Sequence, residues 1–189
     1  LSQVYDSSKG ILGVDLGASA ATVTAAFGGE VTLGVYPQLG LGEGLANLLR
    51  FTSLNEILKW IPLDIPAETV QEYLYQKSIY PATLPVTPED LAIEQALARQ
   101  NLSVALNSLA KDFPRHIRRA APGLVPYFEP ILACGSAITH APTIGQSLLI
   151  LLDAIQPVGI TTMILDQNSL LPAMGAAASR NSILPIQIL

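Results

Sequence analysis

Between Ile11 and Tyr36 the apolar residues fall into three short runs separated by turn residues. Ile11 to Leu16 is the first, and Ala21 to Phe27, rich in β-branched side chains, is the second. Gly28-Gly29 then leads into Val31 to Tyr36. Paired glycines between two such runs are a hairpin signal. The pattern predicts a three-stranded antiparallel meander with Gly17-Ala18-Ser19 as a corner on one rim.

From about Gly40 to Arg119 the spacing becomes helical. Gly42 to Phe51 reads as one helix. Ser53-Leu54-Asn55-Glu56 has the form of a capping box, which starts a second helix at Leu54 that runs to Trp60 or Ile61. Pro66 suits a first helical position, with Val70, Tyr73 and Leu74 as the apolar stripe behind it. Thr87-Pro88-Glu89-Asp90 combines a Thr cap, an N-terminal proline and first-turn acids. Leu91, Leu102, Leu106 and Leu109 then mark the buried face of a long helix ending before Pro114. The last third alternates again. Pro130 to Cys134 reads as a buried strand broken at Gly135-Ser136, and Thr143-Ile144-Gly145-Gln146 as a further capping box. Ile144, Leu148, Leu152 and Ile155 repeat at helical spacing until Pro157 and Gly159. Ile160 to Leu165 is a strand closing on Asp166, and Leu170 to Ser179 a short final helix. Strand, helix and strand in this order imply parallel pairing through a right-handed crossover. The expectation is one α/β domain over residues 1–189, with a helical insertion at about residues 53–119 and no internal repeat.

Composition narrows the function classes. Of 189 residues, 50% are apolar and 13% charged, with a mean hydropathy of +0.42. No apolar run approaches the roughly 18 residues of a membrane span; the nearest, Leu148 to Leu152, is stopped by Asp153. Leu1 to Gly10 is polar, with Asp6 and Lys9, and does not read as a signal peptide. A net charge of −5 and a pI near 4.9 argue against a nucleic-acid partner. The lone Cys134 permits no internal disulfide and fits a cytoplasmic protein. So much apolar surface predicts a chain that does not act as a lone monomer. The segment from Leu54 to Tyr80, with Trp60, Ile61, Val70, Tyr73 and Leu74, is expected to offer one side to a neighbour.

The candidate chemistry sits at the first corner. Asp15 ends an apolar strand and Gly17 follows, so backbone N–H groups there can face a phosphate while Asp15 faces a hydrated metal ion. The same residues also suit an ordinary hairpin turn. Ser136, His140 and Asp153 supply the residue types of a hydrolase triad, but the loop is too short for a nucleophile elbow. His140 reads instead as helping to fix the helix start at Thr143. Arg115, His116, Arg118 and Arg119 form the one basic cluster, read as a solvated helix end or else a contact for an acidic partner. Cys134, His116 and His140 lack metal-site spacing. Trp60, Tyr73, Tyr75 and Tyr80 read as core or interface.

Asp15-Leu16-Gly17-Ala18-Ser19-Ala20-Ala21-Thr22-Val23 resembles the second phosphate motif of the superfamily of acetate kinase, heat-shock chaperones and actin. Further segments, in order, are similar to the MutL proteins that accompany glutamate mutase, which are unrelated to the mismatch-repair proteins of that name. These are Leu39 to Leu49, Gly135 to Pro142, Leu151 to Thr161, and Leu165-Asp166 to Leu170-Leu171-Pro172. The resemblance implies a ribonuclease H-like, actin-like ATPase domain, and a nucleotide site shared between two such domains, of which this chain is the second. It implies ATP and magnesium as cofactors and no others. Asp15 would face the metal-bound water, Gly17, Ala18 and Ser19 the β/γ-phosphates, and Gly135 and Ser136 the adenosine. A second actin-like lobe or a further copy of the chain would be its partner, with a mutase beyond.

The chain departs from that pattern at the chemistry. Ala18 replaces a second glycine, Ala20 and Ala21 replace paired threonines, Thr22 stands where an acid is frequent, and Gly135-Ser136 replaces two glycines. Alanine cannot bind phosphate oxygens or order water as a hydroxyl does. The isolated chain is therefore expected not to hydrolyse ATP appreciably. Two function classes follow: a nucleotide-dependent accessory or reactivating factor for an adenosylcobalamin-dependent mutase, or a catalytically degenerate assembly module of the same fold.

Overall fold

The computed structural model describes residues 9–114, 117, 121, 124–181, 183, 184 and 187. Strands β1 (Gly10–Leu16), β2 (Ala21–Phe27) and β3 (Glu30–Tyr36) form the expected antiparallel meander. Gly28 and Gly29 both have positive φ, 55° and 95°, which the tight β2–β3 turn requires and which glycine adopts without steric cost. Between β3 and β4 (Phe128–Cys134) lie α1 (Leu54–Leu58), α2 (Ala67–Ile79) and α3 (Pro88–Leu109). After β4 come α4 (Ser136–Thr139), α5 (Ile144–Ile155), β5 (Met163–Leu165) and α6 (Leu171–Ala178).

The result is an α/β fold around one five-stranded mixed sheet of order β3-β2-β1-β4-β5, with β4 parallel to β1 and β5 parallel to β4. Leu12, Val14 and Leu16 of β1, Val23 and Ala25 of β2, and Ile131 and Ala133 of β4 are buried on one face of it. The long helix α3 packs against this face and against α5, through Leu97, Leu102 and Ala105 among others. Alternate residues, among them Asp15, Thr22, Thr24, Leu33 and Val35, point to the opposite face, where exposure is greater.

Both helices that bracket the core begin on full capping boxes. Thr87 Oγ1 accepts from the Asp90 N–H at 3.0 Å while Asp90 Oδ2 accepts from the Thr87 N–H at 3.1 Å. Thr143 and Gln146 make the same exchange at 3.2 Å each way. The box expected at Ser53 does not form: Ser53 precedes α1 without a side-chain cap, and Glu56 pairs with Lys59 instead. The helix also stops at Leu58, because Trp60 and Ile61 close tighter turns onto Ile57 and Leu58 ahead of Pro62. Pro66 is the cap of α2, one position before its expected place. β5 is half the expected length, since Ile160 is almost fully exposed and only Met163 to Leu165 pair with β4.

The largest departure is at Gly42 to Phe51, where the chain makes 3-10 turns at Pro37–Leu39 and Leu45–Arg50 in place of an α-helix. Its own turns close three residues apart, Leu45 N–H on the Gly42 carbonyl and Asn47 N–H on the Gly44 carbonyl, and the chain entering them is bonded to the β1–β2 corner. The Leu41 N–H donates to the Gly17 carbonyl at 3.0 Å and the Gly42 N–H to the Ala18 carbonyl at 2.8 Å. A Cβ on Gly40 would lie 2.3 Å from the Ala18 carbonyl oxygen and 2.7 Å from the Ala20 nitrogen. The glycines thus let one backbone press directly on the β1–β2 corner. Gly40→Ala is expected to cost about 2–3 kcal/mol, because the atoms in the way are main chain and cannot rotate aside. That corresponds to a midpoint lowered by about 5–10 °C in thermal unfolding.

A rim built from three strand ends

β1, β4 and β5 are parallel, so their carboxyl ends meet on one edge of the sheet, the edge where open α/β sheets bind ligands. Asp15, on β1, is exposed there. The chain then turns through Gly17, whose N–H donates to the Ala20 carbonyl at 3.0 Å. Ala18 and Ser19 form the exposed tip, and among the described residues their N–H groups donate to no acceptor. Among the described residues the corner therefore offers two backbone donors without an acceptor, three and four residues after Asp15.

Asp15 is in register with Cys134, the last residue of β4. The chain leaves β4 through Gly135 at φ 100°, and a Cβ there would lie 2.2 Å from the Leu16 carbonyl oxygen. The Gly135-Ser136 turn thus lies directly on the end of β1, on the same rim as the Gly17 corner. Ser136 is exposed and opens α4. Beside it lies a cavity of about 630 Å³ walled by Leu84, Val86, Leu91, Gln95 and His140; Asp15 and the corner stand outside it. Glu94 in its wall accepts from the Tyr73 hydroxyl at 2.7 Å and pairs with the buried Lys77 at 3.2 Å, which also donates to the Thr83 carbonyl. This network ties α2 and α3 to the segment leading into the cavity, and burial with the Glu94 bond pushes the Tyr73 phenol far up.

The rim holds a second carboxylate, which the sequence places at a strand end and in a segment similar to the MutL family without a role of its own. Asp166 is buried and follows β5. Its oxygens accept from the Leu170 and Leu171 N–H groups at 2.9 and 2.8 Å, and from the Cys134 thiol at 3.4 Å. Burial pushes its carboxyl up, but the bonds from Leu171, Leu170, Cys134 and Asn168 prevail and hold it below the usual carboxylate value. Asp15 is shifted the other way, first by burial and then by the charge on Asp166. Burial and the two carboxylates push the Cys134 thiol up to about 12, so it acts as a neutral donor.

The other candidates separate. Ser136 and His140 line one cavity, whereas Asp153 pairs with Arg99 at 2.7 Å, so no triad forms. The His140 ring meets Thr139 Oγ1 at 3.0 Å and makes no bond to Thr143. Arg115, His116, Arg118 and Arg119 lie outside the described residues, as do Leu1 to Ser8. Among the described residues no group of three His, Cys, Asp or Glu side chains gathers as a metal centre, and no helix is long and apolar enough to cross a membrane. The side expected between Leu54 and Tyr80 turns inward: Val70 and Leu74 are fully buried, and Trp60, Ile61 and Tyr73 pack against the core. Tyr75 and Tyr80 remain exposed.

A model of the family described as MutL protein matches residues 6–189. No curated protein matches the chain.

The opposite shifts of the two rim carboxylates give a pH signature. Asp166, held low, adds stability that is present above its unfolded value and lost as pH falls through its folded value. Asp15, held high, does the reverse: its ionisation costs stability as pH rises past its ordinary value of 3.8. Asp15→Asn is therefore expected to raise the thermal midpoint at pH 7 by about 1–2 °C, as befits an exposed position. The gain should shrink to nothing in acid, where both forms are neutral, and thermal scans across pH 3 to 8 check it.

Proposed function

The chain belongs to the MutL protein family, and from that premise we propose that it is one lobe of an actin-like nucleotide-binding protein of the ribonuclease H-like type. The strand order β3-β2-β1-β4-β5, with β1, β4 and β5 parallel, supports that fold. The observation that carries the functional reading is the shared rim, where Gly135 lies on the backbone of Leu16 immediately before the Gly17 corner. In this reading the free N–H groups of Ala18 and Ser19 take phosphate oxygens and Asp15 holds magnesium through its water. Gly135 and Ser136 take the adenosine, with the adjoining cavity at hand for its base. The residues present fit a bound nucleotide in kind, because backbone donors and a carboxylate lie within four residues of one another on the same rim. They do not fit turnover, because Ala18, Ala20 and Ala21 offer no hydroxyl to order water. When bound, magnesium would neutralise phosphate charge. The biological role we attach to this lobe is that of an accessory or reactivating factor for an adenosylcobalamin-dependent mutase.

Calorimetric titration with ATP and magnesium tests the reading. Saturable binding is expected, about tenfold weaker in Asp15→Asn through loss of a charged partner to the metal water. No phosphate release above background is expected from either protein. Absence of binding heat sinks the nucleotide reading, and turnover that disappears in Asp15→Asn shows that the alanines do not disable the site.

A second reading, an assembly module without catalysis, rests on a different observation. β3 is an edge strand whose outward residues Val31, Leu33 and Val35 are 63%, 62% and 55% exposed. An open apolar edge of this kind pairs readily with another chain. Sedimentation across a wide concentration range is expected to show self-association that Leu33→Lys weakens; a strictly monomeric wild type would remove this reading.

A further inference from the structure

A separate cavity of about 510 Å³ lies between α3, α5 and the segment after α1. Its walls are apolar, with Trp60, Ile61, Leu63, Leu91 and Leu149, and Arg99 lies among them. The Arg99 side chain is only 9% exposed. Its Nε donates to Asp153 Oδ2 at 2.7 Å, and among the described residues no other hydrogen bond engages the guanidinium. A guanidinium carries five N–H donors, and a buried charge with most of them unmet is costly. Its terminal nitrogens are not sealed in protein, since among the described residues the buried side-chain atoms without a partner are Gln95 Nε2 and Asn101 Oδ1. They therefore stay open to the cavity that Arg99 lines.

We infer that this cavity is a binding site for a small organic carboxylate with an apolar body. The acid would meet the free edge of the Arg99 guanidinium, which suits a planar two-oxygen acceptor. The body would lie against Trp60 and Leu149. The other charged groups at the cavity do not oppose this. Asp153 is engaged on the Nε side of Arg99, and Lys59, at the opening, is paired with Glu56 at 2.5 Å. The volume falls within the usual range for small-molecule sites, about 300–1,000 Å³. Nothing here depends on nucleotide binding at the rim, and ATP need not bind for the site to exist.

Trp60 is the only tryptophan of the chain, so its fluorescence reports on this cavity alone. Titration of the full chain with 3-phenylpropanoate is expected to change that signal saturably, with an affinity about tenfold above that for 3-phenylpropanol. Replacing the pair together, Arg99→Met with Asp153→Leu, leaves no lone charge behind and should abolish the preference for the acid. Should that variant fail to unfold cooperatively, Ala92→Phe serves instead: it leaves the ion pair in place, fills the cavity and should abolish the signal for both compounds. Equal responses to acid and alcohol, an acid preference that survives the double substitution, a signal unchanged in Ala92→Phe, or no saturable response up to about 10 mM would each overturn the inference.

Discussion

The rim depends on main chain lying against main chain. Gly135 rests on the backbone of Leu16, and Gly40 rests on the backbone of Ala18, Ser19 and Ala20. Neither approach leaves room for a methyl group. Because peptide units rather than side chains make these contacts, the corner is held by covalent geometry and hydrogen bonds that cannot re-rotamerise. Its exposed N–H groups are thereby fixed in direction. A turn carried by side-chain packing alone would not offer that, and preorganised donors are what an anion site needs.

The two carboxylates of the rim show how placement decides the fate of identical chemistry. Asp166 is enclosed by donors: two N–H groups at the start of α6 and a thiol. It keeps its charge and spends it inside the structure. Among the described residues no such donor reaches Asp15, and it feels the charge of its neighbour. A carboxylate whose ionisation is disfavoured thus stands at the open end of a central strand. Cys134 stands in register with Asp15 and donates its thiol to Asp166, its proton held by the charge on either side.

Much of the architecture was legible because it is written locally. The Gly28-Gly29 hairpin and the boxes at Thr87 and Thr143 are decided within four residues, and the structure contains all three. Ser53 carries the same local signal yet makes no cap, because its neighbours have other partners: Glu56 takes Lys59, and Thr52 Oγ1 accepts from Gln100 on α3 at 2.8 Å. Gly42 to Phe51 misled for a related reason. Its helical spacing is real, but the turns close three residues apart, Leu45 N–H on the Gly42 carbonyl and Asn47 N–H on the Gly44 carbonyl, after an approach fixed by a corner more than twenty residues earlier in the chain. At the candidate site, Asp15, Gly17 and Gly135 could be given roles from the motif, while Asp166, named within a similar segment, could not. Its importance arises from burial and from strands meeting across the sheet. Arg99 was equally silent, since one arginine on a long helix looks like solvated surface until Asp153 and Trp60 enclose it.

The register of β1 with β4 has a consequence in time. Gly10 lies opposite Phe128, so the chain loop that this ladder must close is most of the molecule. Loop closure of that span is an entropic barrier, and non-local pairing of this kind slows folding. The β1–β3 meander needs only neighbouring sequence and can form while the chain is still being made. The corner therefore exists early, but the Gly135 turn that completes the rim arrives only with β4. A nascent chain that ends short of β4 has the Gly17 corner and none of the Gly135 turn beside it, so the complete rim comes into being only once β4 has joined the sheet.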